Sequence, residues 1–301
     1  MQGFLNINKP AGPSSHDVVY AIRRWVGKAV KVGHAGTLDP FAQGVLVVCL
    51  GGACRLASMM MEQAKQYRTV IMLGARSDTD DCTGSIEASP AAVAPAVKEI
   101  QRVLANLVGE VQQVPPAHSA ILVAGRRAYK IARNGGQLDL PARPVRIDSI
   151  RLLEYSYPRL AIEVDCGSGT YIRALARDIG AALGVGGYCQ ELIRIRSGGF
   201  RVEQAVGPDQ IDLSRDLVSP LAALGDTPRA QLTAEQTLQV LLGRRLPLKA
   251  SPGELAVLDD RGELLALGTI SDDGSFFQPG KVLVNTHAKY GGRGPHRATG
   301  E

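Results

Sequence analysis

One carboxylate of the sequence lies outside every periodic pattern. Asp39 belongs to the segment 31–40, where Gly33, Gly36 and Pro40 predict irregular backbone. A carboxylate is ionised at neutral pH without a helper base, because its reference pKa is about 3.9, so Asp39 could act directly as a nucleophile. An aspartate before a proline is also an ordinary turn residue, and the residues alone leave both interpretations open.

Three further side chains could complete a site around Asp39. His34 lies in the same loop, where a histidine could equally be structural or merely exposed. Tyr67 lies on a predicted strand between two cations, and its ring could pack in a core or stack on a nucleobase. Arg173 falls in the first turn of a predicted helix, a mildly unfavourable place for a cation that an anion such as Asp39 would offset.

Common cofactor motifs are absent from the sequence. It contains no G-x-x-x-x-G-K-[ST] loop, no G-x-G-x-x-G after a strand, no H-E-x-x-H and no G-x-S-x-G elbow. We therefore expect neither a cofactor nor a metal ion in the reaction.

Composition restricts the class of protein. The chain has 301 residues, of which 45% are hydrophobic and 21% charged, as in ordinary globular domains. Its longest apolar run, residues 45–50, is far shorter than the roughly 20 residues of a membrane span, and its start lacks the features of a signal peptide. The five cysteines are odd in number and form no C-x-x-C pair, which favours a reducing cytoplasm over a disulfide framework or a zinc site.

Positive charge is concentrated in the middle of the chain. The net charge is +5, and residues 119–201 hold 13 basic residues, 12 of them arginine, against 7 acidic ones. Arginine suits forked phosphate contacts and stacking on bases. The distribution therefore suggests a polyanionic partner, although a solvated charged face would give the same count.

Periodicity and turn residues predict an α+β fold. The predicted strands are 4–8, 44–50, 66–73, 120–124 and two starting at Val145 and Leu160. The predicted helices are one capped by Ser14 or Ser15 and ending at Gly27, a short one at 55–61, one capped by Ser89, a basic one at 126–133 and one opened by Thr170. Strands and helices alternate irregularly, which argues against a repeating parallel sheet.

A second unit is predicted after Gly225. Residues 233–236 form a capping box for a helix that ends at Gly243. Short strands at 255–258, 264–270 and 281–284, separated by Asp- and Gly-containing turns, predict a small all-β module followed by a flexible tail from Ala288.

Taken together, several segments resemble the bacterial tRNA pseudouridine-55 synthases, the TruB family, from Gly3 to about Phe200. The most specific one, residues 33–44, carries the pattern G-H-x-G-x-L-D-P-x-A-x-G. The supporting segments are Asn8–Pro10, Lys65–Arg68, Ser77–Asp81, Arg126–Arg133, Gly169–Arg173 and Arg194–Gly198. Each is weak alone, but their order and spacing together are specific.

The resemblance implies a reaction and a set of roles. The reaction is the isomerisation of a uridine in RNA to its C-glycoside without a cofactor. Asp39 would be the nucleophile, attacking either the uracil ring or the ribose C1′, Tyr67 would stack on the target base, and Arg173 would pair with Asp39. His34 would fill the space left by the flipped nucleotide. The remaining matched positions are Tyr171 and Ile195, which would line the pocket, and Lys9 with Pro10, which would pack beneath it.

The resemblance also implies a domain organisation and a partner. It gives a catalytic domain at 1–225 around a mixed sheet, a thumb insertion at about 114–145 that grips the T-stem loop of tRNA, a PUA-like RNA-binding module at 226–288 and a tail at 289–301. The thumb departs from the family pattern, since Leu122 replaces a usual lysine and His118 a usual aromatic residue. A phosphate contact is then missing, which concerns affinity rather than chemistry.

We expect a monomer that needs no obligate protein partner and does not bind membranes. Two other hypotheses stay open. One is a guide-RNA-dependent relative of the dyskerin family, against which the thumb insertion and the lack of a long lysine-rich tail argue. The other is a tRNA-binding or tRNA-folding module in which Asp39 is only a turn residue.

Overall fold

The computed structural model describes residues 1–89, 93–119, 122–123, 126–127, 131 and 140–283. The strands in these ranges are β1 (Gly3–Lys9), β2 (Val32–His34), β3 (Gln43–Leu50), β4 (Lys65–Leu73), β5 (Ala75–Ser77), β6 (Ile86–Ala88), β7 (Gly109–Gln113), β8 (Leu122–Val123), β9 (Arg126–Arg127), β10 (Arg143–Ser156), β11 (Arg159–Cys166), β12 (Gly187–Ser197), β13 (Phe200–Arg201), β14 (Leu217–Val218), β15 (Arg229–Gln231), β16 (Leu246–Pro247), β17 (Gly253–Leu258), β18 (Leu264–Ile270) and β19 (Phe276–Val282). The α-helices are α1 (Ser15–Val26), α2 (Ala57–Glu62), α3 (Val97–Asn106), α4 (Ile172–Ala182), α5 (Leu213–Asp216) and α6 (Ala234–Leu241). Short 3₁₀ turns occupy Gly51–Leu56, Val202–Gln204 and Pro220–Leu224.

A mixed sheet forms the centre of the molecule. Its strand order is β14-β1-β3-β12-β4-β11-β10-β7, with β2 beside β3 and β13 beside β12. Among the described strands of this sheet, β3 and β12 form the one parallel pair. In this register Gly44 pairs with Lys9 on β1 and with Arg194 on β12, so two cations flank the point where the loop that contains Asp39 enters β3.

Gly44 is required at that point. Its φ is +96°, and a Cβ there would lie 2.3 Å from the Arg194 carbonyl oxygen. Only glycine allows this backbone conformation and this close approach.

Three helices cover one face of the sheet. Helix α1 begins after Ser14, whose hydroxyl accepts from the Asp17 N–H at 3.2 Å, and ends at Gly27 with φ +90°. The apolar sides of α1, α3 and α4 bury Ile22, Ile100 and Ile179 against the sheet. The predicted α+β class and the helix from Ser14 to Gly27 are thus confirmed.

A second sheet lies in the C-terminal part, with the order β15-β17-β18-β19-β16. Together with α6 it has its own apolar core, which includes Val240, Val257 and Phe277. Leu264 and Leu267 of this sheet also belong to the apolar cluster behind β1 and β3. The predicted all-β module with a Thr233 capping box is therefore present, whereas its last strand starts at Phe276 rather than Lys281.

Two predicted helices differ from the structure. Helix α3 starts at Val97, not after Ser89, because the Glu99 carboxylate accepts from the Ala96 N–H at 2.9 Å and completes the first turn there. Residues 126–127 are extended and pair antiparallel with 122–123, so the helix predicted at 126–133 is wrong at its first two residues. Pro90 and most of 128–139 lie outside the described residues, as does the tail from 284 onward.

The helix predicted to open at Thr170 begins two residues later. Tyr171 has an extended backbone and occupies the N-cap position, and Ile172 is the first helical residue. Arg173 is consequently in the first turn, as predicted.

Candidate active site

The loop between β2 and β3, residues 35–42 and called here the catalytic loop, is held by its backbone. Arg194 is 2% exposed, and its guanidinium donates to the carbonyls of Gly36 at 2.9 Å, Thr37 at 3.4 Å and Val45 at 2.7 Å. The buried Ser15 hydroxyl donates to the Leu38 carbonyl and accepts from its N–H. The conformation that presents Asp39 is thereby fixed by groups outside the loop.

Lys9 anchors the other side of the catalytic loop. Its ammonium is fully buried at the end of β1 and donates to the carbonyls of Pro40 at 3.1 Å and Ala42 at 2.7 Å, as well as to that of Pro10. Burial lowers the pKa of Lys9 to about 8, with Asp39 opposing the shift. The resemblance placed Lys9 beneath the pocket, and the structure places it directly under the Asp39 turn.

Asp39 forms an ion pair with Arg173. Arg173 Nε lies 2.9 Å from Asp39 Oδ2, and Nη2 donates to Oδ1 at 3.4 Å. The Asp39 side chain is 35% exposed, whereas that of Arg173 is 5% exposed. Burial raises the pKa of the Asp39 carboxyl, and the Arg173 guanidinium opposes this by stabilising the carboxylate. The Asp39 carboxyl is thus part-exposed on one side and held against a buried guanidinium on the other.

Arg173 has a second acidic partner that sequence reasoning missed. Its Nη1 donates to Asp81 Oδ2 at 3.0 Å, and both side chains are 5% exposed. The Asp81 carboxylate also accepts from the Thr79 hydroxyl and from the N–H and hydroxyl of Thr83. The segment 77–81 contains three aspartates, and nothing in the sequence distinguishes the one that meets Arg173.

Tyr67 and Ile195 lie on the neighbouring strands β4 and β12. Both are 9% exposed, and Tyr67 on β4 pairs with Arg194, the residue before Ile195 on β12. Burial raises the pKa of Tyr67, and Arg194 opposes the shift, so the phenol stays neutral near pH 7. Tyr67 thus places a flat, uncharged ring near the catalytic loop.

His34 ends β2 just before the catalytic loop. Its Nδ1 is buried and has no hydrogen-bond partner among the described residues. Burial lowers its pKa, as do the nearby charges of Arg194 and His16. The ring is therefore neutral at pH 7, and its buried Nδ1 makes no hydrogen bond to the described residues.

Tyr171 is fixed by its backbone at the start of α4. The Gln113 side chain accepts from the Tyr171 N–H at 2.8 Å and donates to its carbonyl at 3.1 Å. The Arg143 guanidinium lies 5.2 Å from the centre of the Tyr171 ring, within cation–π range. Neither Gln113 nor Arg143 carried a recognisable signal in the sequence.

His118 reaches the site through its backbone. Its carbonyl accepts from Arg173 Nη2 at 3.0 Å, the same nitrogen that faces Asp39. Leu122 lies on β8, which pairs with β9. The loss of the aromatic side chain at position 118 therefore leaves this contact with Arg173 in place.

Comparison with known proteins decides the family. Residues 23–172 match the family model described as TruB family pseudouridylate synthase, N-terminal domain. The tRNA pseudouridine synthase B of Synechocystis sp. is 38% identical over 95% of this chain and 100% of its own length. That of Mycobacterium tuberculosis is 42% identical over 91% of this chain and 93% of its own. This chain belongs to the TruB family.

Solved structures agree with this assignment. A chain in the crystal structure of a Cbf5-Nop10-Gar1 complex is 26% identical to this TruB-family enzyme, with a TM-score of 0.68 over 94% of this chain and 85% of the other. A chain of an H/ACA RNP bound to a substrate RNA is 25% identical, with a TM-score of 0.67 over the same shares. The chain is thus a pseudouridylate synthase, an isomerase, with the predicted fold.

Within 1–89, 93–119 and 140–283, the ranges whose side chains are described, no three His, Cys, Asp or Glu side chains are arranged to hold a metal ion. No helix in the described part of the chain has the length and apolarity to cross a bilayer.

Proposed function

We propose that this chain converts uridine 55 in the T-loop of tRNA to pseudouridine, with Asp39 as the nucleophile. The observation that supports this most is the Asp39–Arg173 pair: a part-exposed carboxylate on a rigid loop, kept ionisable by a buried guanidinium. The names of the 38–42% identical relatives support tRNA as the substrate.

The reaction exchanges one glycosidic bond for another. The N1–C1′ bond breaks, the C5–C1′ bond forms, C5 loses its proton to solvent and N1 gains one. Asp39 makes a transient covalent bond to either the uracil ring or the ribose C1′ and is released unchanged. Because nothing is oxidised or reduced, the chemistry needs no cofactor.

The target base must leave its stack before C5 can meet C1′, which costs a few kcal/mol. His34 offsets part of that cost by filling the vacated space, because its ring is neutral and its buried Nδ1 has no partner among the described residues. Tyr67 offers a stacking face to the flipped base, while Tyr171 and Ile195 close the pocket around it.

We further propose the domain organisation that the resemblance implies. The catalytic domain spans 1–225, with the thumb insertion at about 114–145, and the RNA-binding module begins at 226, just before β15. The enzyme acts as a monomer, without a guide RNA or protein partner, in the reducing cytoplasm. All five cysteines are free thiols, and burial raises the pKa of Cys49, Cys166 and Cys189 to about 12, which disfavours disulfide chemistry.

Tritium release from unmodified tRNA labelled at C5 of its uridines tests the proposal. We expect release by the wild type alone, in the absence of any guide, and a loss of at least about 10⁴-fold in Asp39→Asn. The Kd of this variant for tRNA should stay within about threefold of wild type. Asp209→Asn, at an exposed position outside the site, controls for the loss of an aspartate charge.

Two results would reject the assignment. Turnover by Asp39→Asn would remove Asp39 from the nucleophile role. Release from tRNA carrying cytidine at position 55 would move the target elsewhere. Tight tRNA binding without release would favour the binding-module hypothesis, and release only with added guide RNA would favour the dyskerin-like one.

A further inference from the structure

Two arginines one turn apart on α4 contact the same two segments. Arg173 binds Asp81 and the His118 carbonyl. Arg177 repeats the pattern, since its Nη1 lies 2.8 Å from Asp80 Oδ2 and its Nη2 donates to the Val114 carbonyl at 2.8 Å. Both therefore join segment 77–81 to residues 114–118, where the insertion begins.

Asp80 is held in an unusual conformation. Its φ is +60°, and it is the only non-glycine residue with positive φ among the described residues. Its N–H donates to the Ser77 carbonyl, and its own carbonyl accepts from the Cys189 N–H. These two bonds hold the backbone in the left-handed region, which aspartate adopts more readily than most residues, so that a 13% exposed carboxylate faces Arg177.

The start of the insertion is held first by strand pairing and then by arginine side chains. On one side β7 pairs with β10 up to Gln113 and Arg143, and Val114 is the first residue beyond that pairing. Arg177 binds the chain at that residue, four positions before Arg173 binds it at His118. Arg177 itself has no contact with Asp39, Tyr67 or His34 in the hydrogen bonds and ion pairs of the described residues.

We propose that Arg177, oriented by Asp80, is a positioning residue that sets the start of the insertion for tRNA binding. This inference rests on the proposed function, in which the insertion grips the T-stem loop. Arg177 acts on substrate affinity because it fixes Val114, and the chemical step is left to Arg173 and Asp39.

The test separates KM from kcat. In the tritium-release assay, Arg177→Gln and Asp80→Asn should each raise the KM for tRNA about tenfold and leave kcat within about twofold of wild type. The KM of the double variant should not exceed that of the more strongly affected single variant, since both substitutions break the same link. Arg159→Gln is the matched control, because it breaks an exposed arginine–glutamate pair, Arg159 with Glu191, that contacts neither segment 77–81 nor Val114 in the described hydrogen bonds and ion pairs.

A filter-binding Kd for unmodified tRNA makes the result independent of turnover. A Kd raised about tenfold in Arg177→Gln, with melting temperature near wild type, supports the inference even if the wild type releases no tritium. An unchanged Kd overturns the inference. A fall in kcat at constant KM also overturns it, because the Arg177–Asp80 pair would then not act on substrate affinity. Should Arg177→Gln fail to fold, Asp80→Asn decides by the same criteria, and a wild type that binds no tRNA overturns both proposals.

Discussion

Two loops meet at Arg173, and they are held in opposite ways. The catalytic loop is fixed through its main chain, since the carbonyls of residues 36–40 and of Ala42 all accept hydrogen bonds. Most of the donors are side chains of other elements, namely Lys9, Ser15 and Arg194. These main-chain contacts do not involve the Asp39 carboxylate, whose ion pair with Arg173 is a separate contact.

The acidic loop, residues 77–84, is fixed through its own side chains. Asp78 accepts from the Ser85 N–H, Asp80 pairs with Arg177 and Asp81 with Arg173. Each of its three aspartates thus makes a structural contact. The catalytic loop should keep its conformation when the Asp39 carboxylate is changed, whereas a change at Asp81 should remove the contact of the acidic loop with Arg173.

The comparison predicts where the catalytic loop is vulnerable. Arg194→Met leaves three carbonyls without their donor, two of them in the loop, and we expect the free energy of unfolding to fall by about 3–5 kcal/mol. Urea denaturation followed by circular dichroism measures this. Arg194→Lys should recover only part of the loss, because an ammonium cannot reproduce the guanidinium fork.

Arg196→Met supplies the matched control two residues further along β12. Arg196 makes one ion pair with Asp165 at a 23% exposed side chain, so its loss should cost less than about 1 kcal/mol. Equal stability of the two variants would show that the catalytic loop does not depend on Arg194.

A change in the acidic loop should affect kcat rather than the free energy of unfolding. Asp81→Asn removes the charge that orients Arg173 from behind, and we expect kcat to fall about 30-fold, or about 2 kcal/mol in activation free energy, with little change in KM. Tritium release at saturating tRNA measures kcat. Asp78 of the same loop is exposed and contacts the Ser85 N–H rather than Arg173. Asp78→Asn should therefore keep kcat within about twofold of wild type. A normal kcat in Asp81→Asn would mean that Asp39 and the backbone alone position Arg173.

The same contrast explains what could be predicted from the sequence. The residue pattern around Asp39 is local, so the loop, Gly44 and the α1 cap could be located from consecutive residues. Helix α1 and the α+β class followed from periodicity and turn residues in the same way. The helix position of Arg173 made Asp39 a candidate partner for it, and the family resemblance implied that the two side chains pair.

Long-range contacts could not be predicted. Arg194 reaches the catalytic loop through the parallel pairing of β12 with β3, about 150 positions away in sequence, and no local pattern shows which strands become neighbours. Asp81 is one of three aspartates in segment 77–81, and only the tertiary fold shows which of them meets Arg173. The start of α3 was misplaced because Ser89 looked like a cap, whereas the Glu99 contact with Ala96 determines the first turn.

The smallest predicted effect is the contribution of Lys9, beneath the catalytic loop, to the pH dependence of the free energy of unfolding. Burial lowers the pKa of Lys9 to about 8 in the folded state from 10.5, so between these values the unfolded chain binds more protons than the folded one. Stability should therefore rise with pH in this window, and Lys9 should contribute about 1 kcal/mol of that rise between pH 8 and pH 9.

The difference in unfolding free energy between wild type and Lys9→Met isolates this contribution, because other groups that titrate in the window, including Lys65 and the cysteines, are common to both proteins. We expect the difference to move in favour of the wild type by about 1 kcal/mol from pH 8 to pH 9. Lys98→Met, at an exposed position on α3, controls for the loss of a lysine as such. A difference that stays constant from pH 8 to pH 9 would mean that Lys9 keeps its proton beneath the loop, and that the catalytic loop is held by a permanent charge on both sides.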